Sequence, residues 1–458
     1  MSHSHTLKRL ERIKTVGLWG GVCLLFNSMS GPAIPYTATV FQTLGVLIPF
    51  VLFLLFAVVS AFAVLFIVEA MQAIPGNKHF QGTVEFATLI NFYFPAWGHI
   101  LAQVILYGAI QSQAIQSVVL VSQAVDGIFV DIFKHSCGLT QTFQWRCIDN
   151  SSGGLFPNSM LFTLGFLATL VMCIPLARSK MDDNISVQVV AFCVTLLVVA
   201  DWFTESLFDF QKKRVPFLKF EPAFGVLIGP VILNFSCAMF APSWVNLKRK
   251  SINTQRTIWI TMAMAIVIFG IVGLMPAYGF DGLGIKSLTD NSVNLLTILT
   301  NQSNTRLHLV ANKVFCYIFN FSMLWPSIPF GCIVSETNIV QNFESKSRWF
   351  RPGVQFLCYV LPWFLAIPLL TGPLLGTIQN WCSILLAGPA NFIIPFLVYL
   401  RCLNFRKEYN EHRSKLVFLF VWSPSIDRGY PQPFLKSNGK SSWMCTKNPL
   451  ASTRTSTA

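Results

Sequence analysis

The chain has 458 residues, of which 53% are hydrophobic and 11% are charged, and its mean hydropathy is +0.57. This composition excludes an ordinary soluble domain, in which charged residues make up about a quarter of the chain, and predicts a polytopic membrane protein. The formal net charge of +14 reflects membrane topology and contact with anionic inner-leaflet lipid, and we expect no nucleic-acid partner.

The N-terminal segment carries Lys8, Arg9, Arg12 and Lys14 directly before the first apolar run. Because positive residues stay on the cytoplasmic side, this cluster predicts a cytoplasmic N-terminus and a first span that serves as a signal anchor. Ten apolar stretches follow, each near the ~20 residues that a bilayer requires. The predicted spans lie at about 17–42, 44–68, 94–125, 158–177, 185–207, 222–245, 257–279, 307–334, 353–372 and 379–400.

The first apolar run contains Gly31, Pro32 and Pro35 near its middle. Proline removes a helix donor and clashes with the preceding turn, and broken backbone at membrane depth is tolerated only where it is buried in protein or lines a cavity. We therefore expect the helix to break there and to line a polar pocket inside the bilayer.

A half-helix that starts after this break presents free N–H groups and the positive end of its dipole, which suit a carboxylate. The predicted carboxylate ligands are the backbone of Ser30, Gly31 and Ala33, aided by the Ser30 hydroxyl. Carbonyl groups exposed before the break, near Asn27, suit a cation or the ammonium group of a substrate.

The third predicted span is unusually polar for a helix in lipid. Gln103, Tyr107 and Gln111 recur every fourth residue and so share one face, which we expect to point into the bundle or a wet cavity. Tyr107 is the candidate substrate contact on this face. The alternative is that Tyr107 only bonds to a neighbouring helix.

The two longest predicted outer loops contain sequence features that are typical of the non-cytoplasmic side of a membrane. Asn150 and Asn301 each begin an Asn-X-Ser sequence and are predicted glycosylation sites. Cys137 and Cys147 lie in the first of these loops, at a spacing and in a compartment that allow a disulfide.

The sixth predicted span repeats the pattern of the first, because Gly229, Pro230, Asn234 and Ser236 interrupt an apolar run. Two interrupted helices five spans apart indicate an inverted-repeat transporter, with repeat one at about 17–207 and repeat two at about 222–400. Ordinary proline kinks are the alternative for either span alone.

Side chains around the second interruption complete the predicted substrate site. Asn234 and Ser236 offer polar contacts to a substrate, and Phe235 and Phe240 are expected to line or gate the pocket for its side chain. A site of this size suits one amino acid, not a polymer.

The predicted coupling-ion ligands are side-chain oxygens of Asn27, Ser28, Asn320 and Ser322, although such residues also hold helices together. The ionisable residues within or near spans are His99, Lys313, Glu69 and Asp201. Glu69 and Asp201 are expected at span ends, Lys313 can snorkel outward, and an interfacial role suits His99 at least as well as proton coupling. Because no carboxylate lies at mid-span, the sequence leaves sodium coupling, proton coupling and facilitated movement open.

Several segments together resemble one transporter family. They are residues 29–35 (MSGPAIP), 41–45 (FQTLG), 181–185 (MDDNI), 241–246 (APSWVN) and 327–329 (SIP). This set resembles the amino acid/auxin permease (transmembrane amino acid transporter) family over about residues 15–402. The resemblance implies an all-α, LeuT-like 5+5 inverted-repeat bundle and proton- or sodium-coupled amino acid transport.

The domain prediction is a cytoplasmic N-terminus (1–15), a transporter domain (16–402) and a largely disordered cytoplasmic tail (403–458). Members of the resembled family usually have an eleventh span. Residues 416–422 are too short for one, and the tail after them is polar.

Other classes of membrane protein fit the sequence less well. An enzyme is disfavoured, since no catalytic residues, metal ligands or cofactor site are recognisable. A channel would need a continuous polar stripe along its spans, whereas the polar groups of this sequence cluster at the two predicted breaks. A transport-inactive amino acid sensor with the same pocket remains the alternative to a carrier.

The expected partners of the protein are an amino acid, sodium or a proton as the coupling ion, and a lipid bilayer. The expected location is the plasma membrane or an endosomal or vacuolar membrane.

Overall fold

The computed structural model describes the chain in fourteen stretches. These are residues 16–29, 31–75, 77, 80, 82–149, 156, 160–177, 184–208, 215–219, 224–280, 294–300, 307–343, 347–371 and 374–408. The chain divides into a unit of residues 1–400 and a unit of residues 401–458, and of the second the structure describes only the end of the last helix.

Helices form almost all of the described chain. The first seven are α1 (Leu18–Met29), α2 (Thr37–Leu44), α3 (Leu47–Ala73), α4 (Phe86–Tyr93), α5 (Ala96–Phe133), α6 (Leu164–Ala177) and α7 (Asn184–Phe208). The remaining ten are α8 (Phe224–Asn234), α9 (Ala241–Leu247), α10 (Thr254–Gly279), α11 (Leu295–Thr300), α12 (Leu307–Phe319), α13 (Trp325–Asn342), α14 (Phe350–Gln355), α15 (Leu361–Ala366), α16 (Leu374–Cys382) and α17 (Ile394–Glu408).

All ten predicted spans correspond to helices. Within the described residues, eight helical stretches are long and apolar enough to cross a membrane, and the shorter apolar helices Leu18–Met29 and Leu164–Pro175 match the first and fourth spans. The predicted all-α integral membrane class is confirmed.

The first span is broken where its glycine and prolines predict. Helix α1 ends at Met29, a tight 3-10 turn follows at Ile34–Tyr36, and α2 begins at Thr37. The span is thus two half-helices joined by a non-helical segment.

The sixth span is also broken, but not at its Gly-Pro pair. Helix α8 runs through Gly229 and Pro230 and ends at Asn234. The N–H of Gly229 donates to Asn380 Oδ1 at 2.9 Å, so the neighbouring helix helps to satisfy the backbone beside the proline. The break lies beyond Asn234, before a 3-10 turn at Ala238–Phe240 and helix α9.

Later spans contain π-helical turns, in which the backbone widens without breaking. They lie at Asn320–Leu324 in the eighth span, Phe356–Val360 in the ninth, and Ser383–Ala387 and Pro389–Ile393 in the tenth. Sequence periodicity did not predict them.

A small sheet, which the sequence did not predict, packs at the C-terminal end of α5 in the third span. Strands β1 (His135–Thr140), β2 (Trp145–Asp149) and β3 (Met160–Thr163) form an antiparallel sheet in the order β2-β1-β3. Cys137 and Cys147 lie opposite each other in β1 and β2 and form a disulfide. The predicted fourth span at 158–177 is therefore too long, because its first residues belong to β3 and the helix begins at Leu164.

One buried carboxylate anchors this sheet. Asp126 of α5 accepts hydrogen bonds from the hydroxyls of Ser136 and Thr163 and from the N–H of Gly165. Helix α5 therefore extends beyond the predicted end of the third span and supports the sheet of the following loop.

The N-terminal end of α1 and the C-terminal end of α9 are joined. Val16 donates to the carbonyl of Leu247 and accepts from the N–H of Arg249, at 3.2 and 3.0 Å. A Cβ added at Gly21 would lie 2.5 Å from Trp244 Nε1, so α1 and α9 approach too closely for a larger residue there.

A substitution at Gly229 tests the contact between the sixth and tenth spans. In Gly229→Ala the added Cβ would lie 2.4 Å from Asn380 Oδ1 and 2.6 Å from its Cα. We expect a loss of about 1–3 kcal/mol of stability, typical of an overpacked core, measured as a lower melting temperature of the purified protein. Gly353→Ala, where no heavy atom lies within 4 Å of the added Cβ, is the control, and an equal effect of both variants would contradict the close contact.

Candidate substrate site at the two helix breaks

A side-chain hydrogen bond joins the two broken helices at their breaks. Asn234, the last residue of α8, donates from Nδ2 to the hydroxyl of Thr37, the first residue of α2, at 3.1 Å. Asn234 is 1% exposed, and its Oδ1 has no hydrogen-bond partner. The two spans that the sequence pairs as repeats therefore face each other at their breaks.

Both breaks leave main-chain donors unused. Among the described residues, no acceptor bonds to the backbone N–H of Gly31, Ala33, Cys237 or Ala238. Ala33, Cys237 and Ala238 are fully buried. Because a buried N–H without a partner is costly, these groups are available to a bound ligand or to water.

The second break is held open by side chains from two other spans. Ser60 of α3 donates to the carbonyl of Phe235 at 2.7 Å and lies 3.4 Å from Cys237 Sγ. The N–H of Met239 donates to Asn391 Oδ1 at 3.2 Å. These contacts satisfy backbone groups that a continuous helix would satisfy itself.

The tenth span supplies an amide side chain to each broken span. Gln379 donates to the carbonyl of Pro32 at 3.4 Å, and Asn380 and Asn391 accept from N–H groups of the sixth span. Gln379 Oε1 is buried with no partner. Sequence reasoning missed these three residues, although three amides within an otherwise apolar span are a usable signal.

There is open space beside the first break. A Cβ added at Gly31 would have no heavy atom within 4 Å. A small group can therefore approach this main chain, as the predicted carboxylate requires.

The predicted pocket aromatics Phe235 and Phe240 are both packed against other rings. The Phe235 ring lies 5.7 Å from Phe53 and 5.6 Å from Phe269, and the Phe240 ring lies 5.6 Å from Phe330. A role of either ring in lining or gating a pocket stays a prediction.

The predicted ion ligands of the first span differ in their availability. Asn27 donates from Nδ2 to both the main-chain carbonyl and Oε1 of Gln188 in α7, at 2.6 and 2.8 Å, and its Oδ1 is buried with no partner. Ser28 donates to the carbonyl of Leu25. Asn27 therefore retains an oxygen that can bind a cation.

The predicted ion ligands of the eighth span lie in its π-helical turn. Asn320 donates to the carbonyl of Cys316, and its Oδ1 is buried with no partner, while Ser322 donates to the carbonyl of Phe319. This turn and α1 both pack against α7. The Ser236 hydroxyl likewise bonds within its own span, to the carbonyl of Ile232.

Tyr107 makes a bond between helices. Its hydroxyl donates to the carbonyl of Leu357 in the ninth span at 2.6 Å, which is the bond to a neighbouring helix that the alternative interpretation expects. Gln111 on the same face donates to Ser335 in the eighth span. A substrate contact of Tyr107 stays a prediction.

Three predicted site residues, Ser30, Asn150 and Asn301, lie outside the described residues.

Of the ionisable residues that the sequence singles out, Lys313 forms an ion pair with Asp131 of α5 at 2.6 Å. His99 is buried and its ring stacks on Phe343 at 5.3 Å. These contacts of Lys313 and His99 are with residues that belong to neither break.

Comparisons with known proteins show the fold. Neither a protein-family profile nor a curated protein sequence matches the chain. The chain is similar to a manganese transporter of Eremococcus coleocola in complex with an aromatic bis-isothiourea substituted compound, with 12% identity and a TM-score of 0.53, over 85% of this chain and 82% of that one. The chain is also similar to a mutant of the Eremococcus coleocola manganese transporter, with 11% identity and a TM-score of 0.50, over 88% of this chain and 92% of that one. The chain therefore has the fold of an integral membrane transporter, and its resemblance to the amino acid/auxin permease family stays a prediction.

A substitution at Asn391 tests how the second break is held. Asn391→Leu removes the acceptor for the Met239 N–H and leaves that group buried and unpaired, at an expected cost of about 1–3 kcal/mol. The measurement is the melting temperature of the purified protein. Asn342→Leu is the control, because the Asn342 side chain donates to the carbonyl of Asn338 one turn earlier in its own helix. A drop in that variant as large as in Asn391→Leu would contradict a special role for Asn391.

Proposed function

We propose that the protein is a secondary-active amino acid transporter that binds its substrate between the two helix breaks and works by alternating access. The observation that carries this proposal is that, within the part of the chain that the structure describes, no acceptor bonds to the main-chain N–H groups of Gly31, Ala33, Cys237 and Ala238. In a bilayer such groups are tolerated only where they are buried in protein or line a cavity, as in transporter binding sites.

The substrate carboxylate fits the first break. Gly31 and Ala33 offer N–H groups just before α2, where the helix dipole adds positive potential. The substrate ammonium fits the unpartnered oxygens of Asn27 and Asn234. A zwitterion satisfies both the donors and the acceptors of this site.

An amino acid fits these groups better than a divalent metal does. The similar solved structures are manganese transporters, and carboxylate, carbonyl and water ligands suit manganese. Within the described part of the chain, no group of three or more His, Cys, Asp or Glu residues could hold a metal ion. The breaks instead offer main-chain donors, which attract an anionic group.

The coupling ion in this proposal is sodium or a proton. The oxygens of Asn27 and Asn320 are hard ligands that suit sodium, and Ser28 and Ser322 remain further proposed ligands. With a cytoplasmic N-terminus, the contact of Val16 with Leu247 and Arg249 closes the cytoplasmic side. Transport then requires α1 and α9 to separate there.

The function is tested by a thermal-shift screen of the purified protein against all amino acids, with and without sodium and at two pH values. We expect saturable stabilisation by a small set of amino acids. Counterflow of the radiolabelled hit in proteoliposomes then separates a carrier from a sensor, because a sensor binds without exchange. Failure of every amino acid to stabilise the protein would contradict the proposal.

Gly31→Val tests the carboxylate position. The valine side chain would fill the open space beside the first break, so we expect loss of amino acid binding while the folded protein keeps its melting temperature without ligand. Gly270→Val in α10 is the matched control, since a Cβ there also has no heavy atom within 4 Å. Normal uptake by Gly31→Val would rule out this carboxylate site.

Asn27→Ala tests the proposed cation ligand. It removes the unpartnered Oδ1 and the bonds to Gln188. We expect a weaker dependence of uptake on sodium or on pH, measured as a shift in the half-maximal ion concentration. An unchanged ion dependence would exclude Asn27 from the ion site.

A further inference from the structure

The hairpin formed by β1 and β2 has two large apolar side chains on its surface. Phe143 in the hairpin loop is 77% exposed, and Trp145 at the start of β2 is 64% exposed. On the other face of the sheet, Ile148 and Met160 are buried. Exposed apolar side chains that form one patch mark a contact surface. The position of the hairpin relative to the membrane decides what this surface contacts.

Phe143 occupies a backbone position that favours glycine. In the three-residue loop 141–143, the N–H of Thr140 donates to the carbonyl of Gln144 at 2.9 Å, and the N–H of Phe143 donates to the carbonyl of Thr140 at 3.0 Å. The φ angle of Phe143 is 57°, in the left-handed region where a bulky residue is unusual and where hairpin loops of this length favour glycine. Strain of this kind persists at sites that have a function. Here it presents an exposed aromatic ring at the tip of the hairpin.

The apolar surface continues from the hairpin to the start of the fourth span. Leu139 of β1 lies opposite Trp145 of β2 and opposite Phe162 of β3. Residues that lie opposite each other in neighbouring strands share one face of a sheet, and the rings of Trp145 and Phe162 are 6.3 Å apart. Phe162 is only two residues before Leu164, the first residue of α6.

Helix α6 has an exposed apolar face. Leu164, Leu167, Val171 and Ile174 are exposed and recur every three or four residues, so they share one side of the helix. In a membrane-spanning helix, such a side contacts lipid. The 14 residues of α6 extend over only about 21 Å, less than the ~30 Å of the hydrocarbon layer. Leu164 is therefore at the boundary of that layer, and Phe162 is at the membrane surface.

Strand β1 brings the hairpin back towards this surface. Helix α5 rises about 10 Å from Asp126 to Phe133. Ser136, only three residues later, donates to Asp126 Oδ1 at 2.7 Å. Because three residues of extended chain reach about 10 Å, β1 begins by running back along α5 towards the membrane. The N–H of Gly165 bonds to the same carboxylate, so Asp126 is level with the start of α6.

We propose that Phe143 and Trp145 anchor the hairpin in the phospholipid headgroup layer beside the fourth span. Continuity with the lipid-facing side of α6 favours lipid over a partner protein, and aromatic side chains are enriched at this depth. Arg146 follows Trp145 and is exposed, and its charge suits a lipid phosphate. The disulfide between Cys137 and Cys147 keeps the two strands of the hairpin together. This anchor does not depend on which solute the protein transports.

The test introduces the photo-crosslinking residue p-benzoylphenylalanine at single positions of the full chain, reconstituted in phosphatidylcholine nanodiscs. After irradiation, mass spectrometry of the peptides identifies the crosslinked partner. We expect phospholipid adducts in the variants at Phe143 and at Trp145, with a yield several-fold above that of the variant at His135. His135 is the matched control, because it is exposed in the same sheet but at the end of β1 away from the hairpin tip. Val171, on the lipid-facing side of α6, is the positive control.

Phospholipid adducts at Phe143 or Trp145 that clearly exceed those at His135 support the anchor. Two tip positions are used so that a folding defect in one variant does not decide the result. The anchor is overturned if neither tip position gives a phospholipid adduct while the Val171 position does, if the tip crosslinks only to a second copy of the chain, or if His135 gives an equal yield. Failure of amino acids to bind the wild-type protein would count only against the proposed function.

Discussion

Inside a bilayer a main-chain N–H or C=O group has no water to bond, and this constraint explains the arrangement of the broken spans. Two of the ten spans give up helical hydrogen bonds in their middle. Ser60, Gln379 and Asn391 then bond to backbone groups of the non-helical segments, and Asn234 joins one broken span to the other. Among the described residues, the N–H groups left without an acceptor at the breaks are those that the proposal assigns to the substrate.

The tenth span has a larger role than its apolar sequence suggests. Its amide side chains contact both broken spans, and two of its segments are π-helical. A π-helical turn changes which residues share a face. The wider turns and the three amides together make this span a support for both halves of the proposed site.

The sequence predicted the membrane class, the ten spans and the break in the first span, because apolar length and mid-span prolines act locally. The position of the second break was less predictable, since Pro230 stays in a helix that Asn380 supports from 150 residues away along the chain. The role of Tyr107 depends on the carbonyl of Leu357, a partner that only the packing of spans three and nine reveals.

The most direct measurement is hydrogen–deuterium exchange of the purified protein with and without a saturating amino acid that stabilises it. Binding through the free main-chain donors predicts slower exchange in peptides that contain residues 31–37 and 235–241, with little change in the outer sheet at 135–149. Unchanged exchange in both break peptides at saturating ligand would contradict the proposal that the unwound backbone holds the substrate.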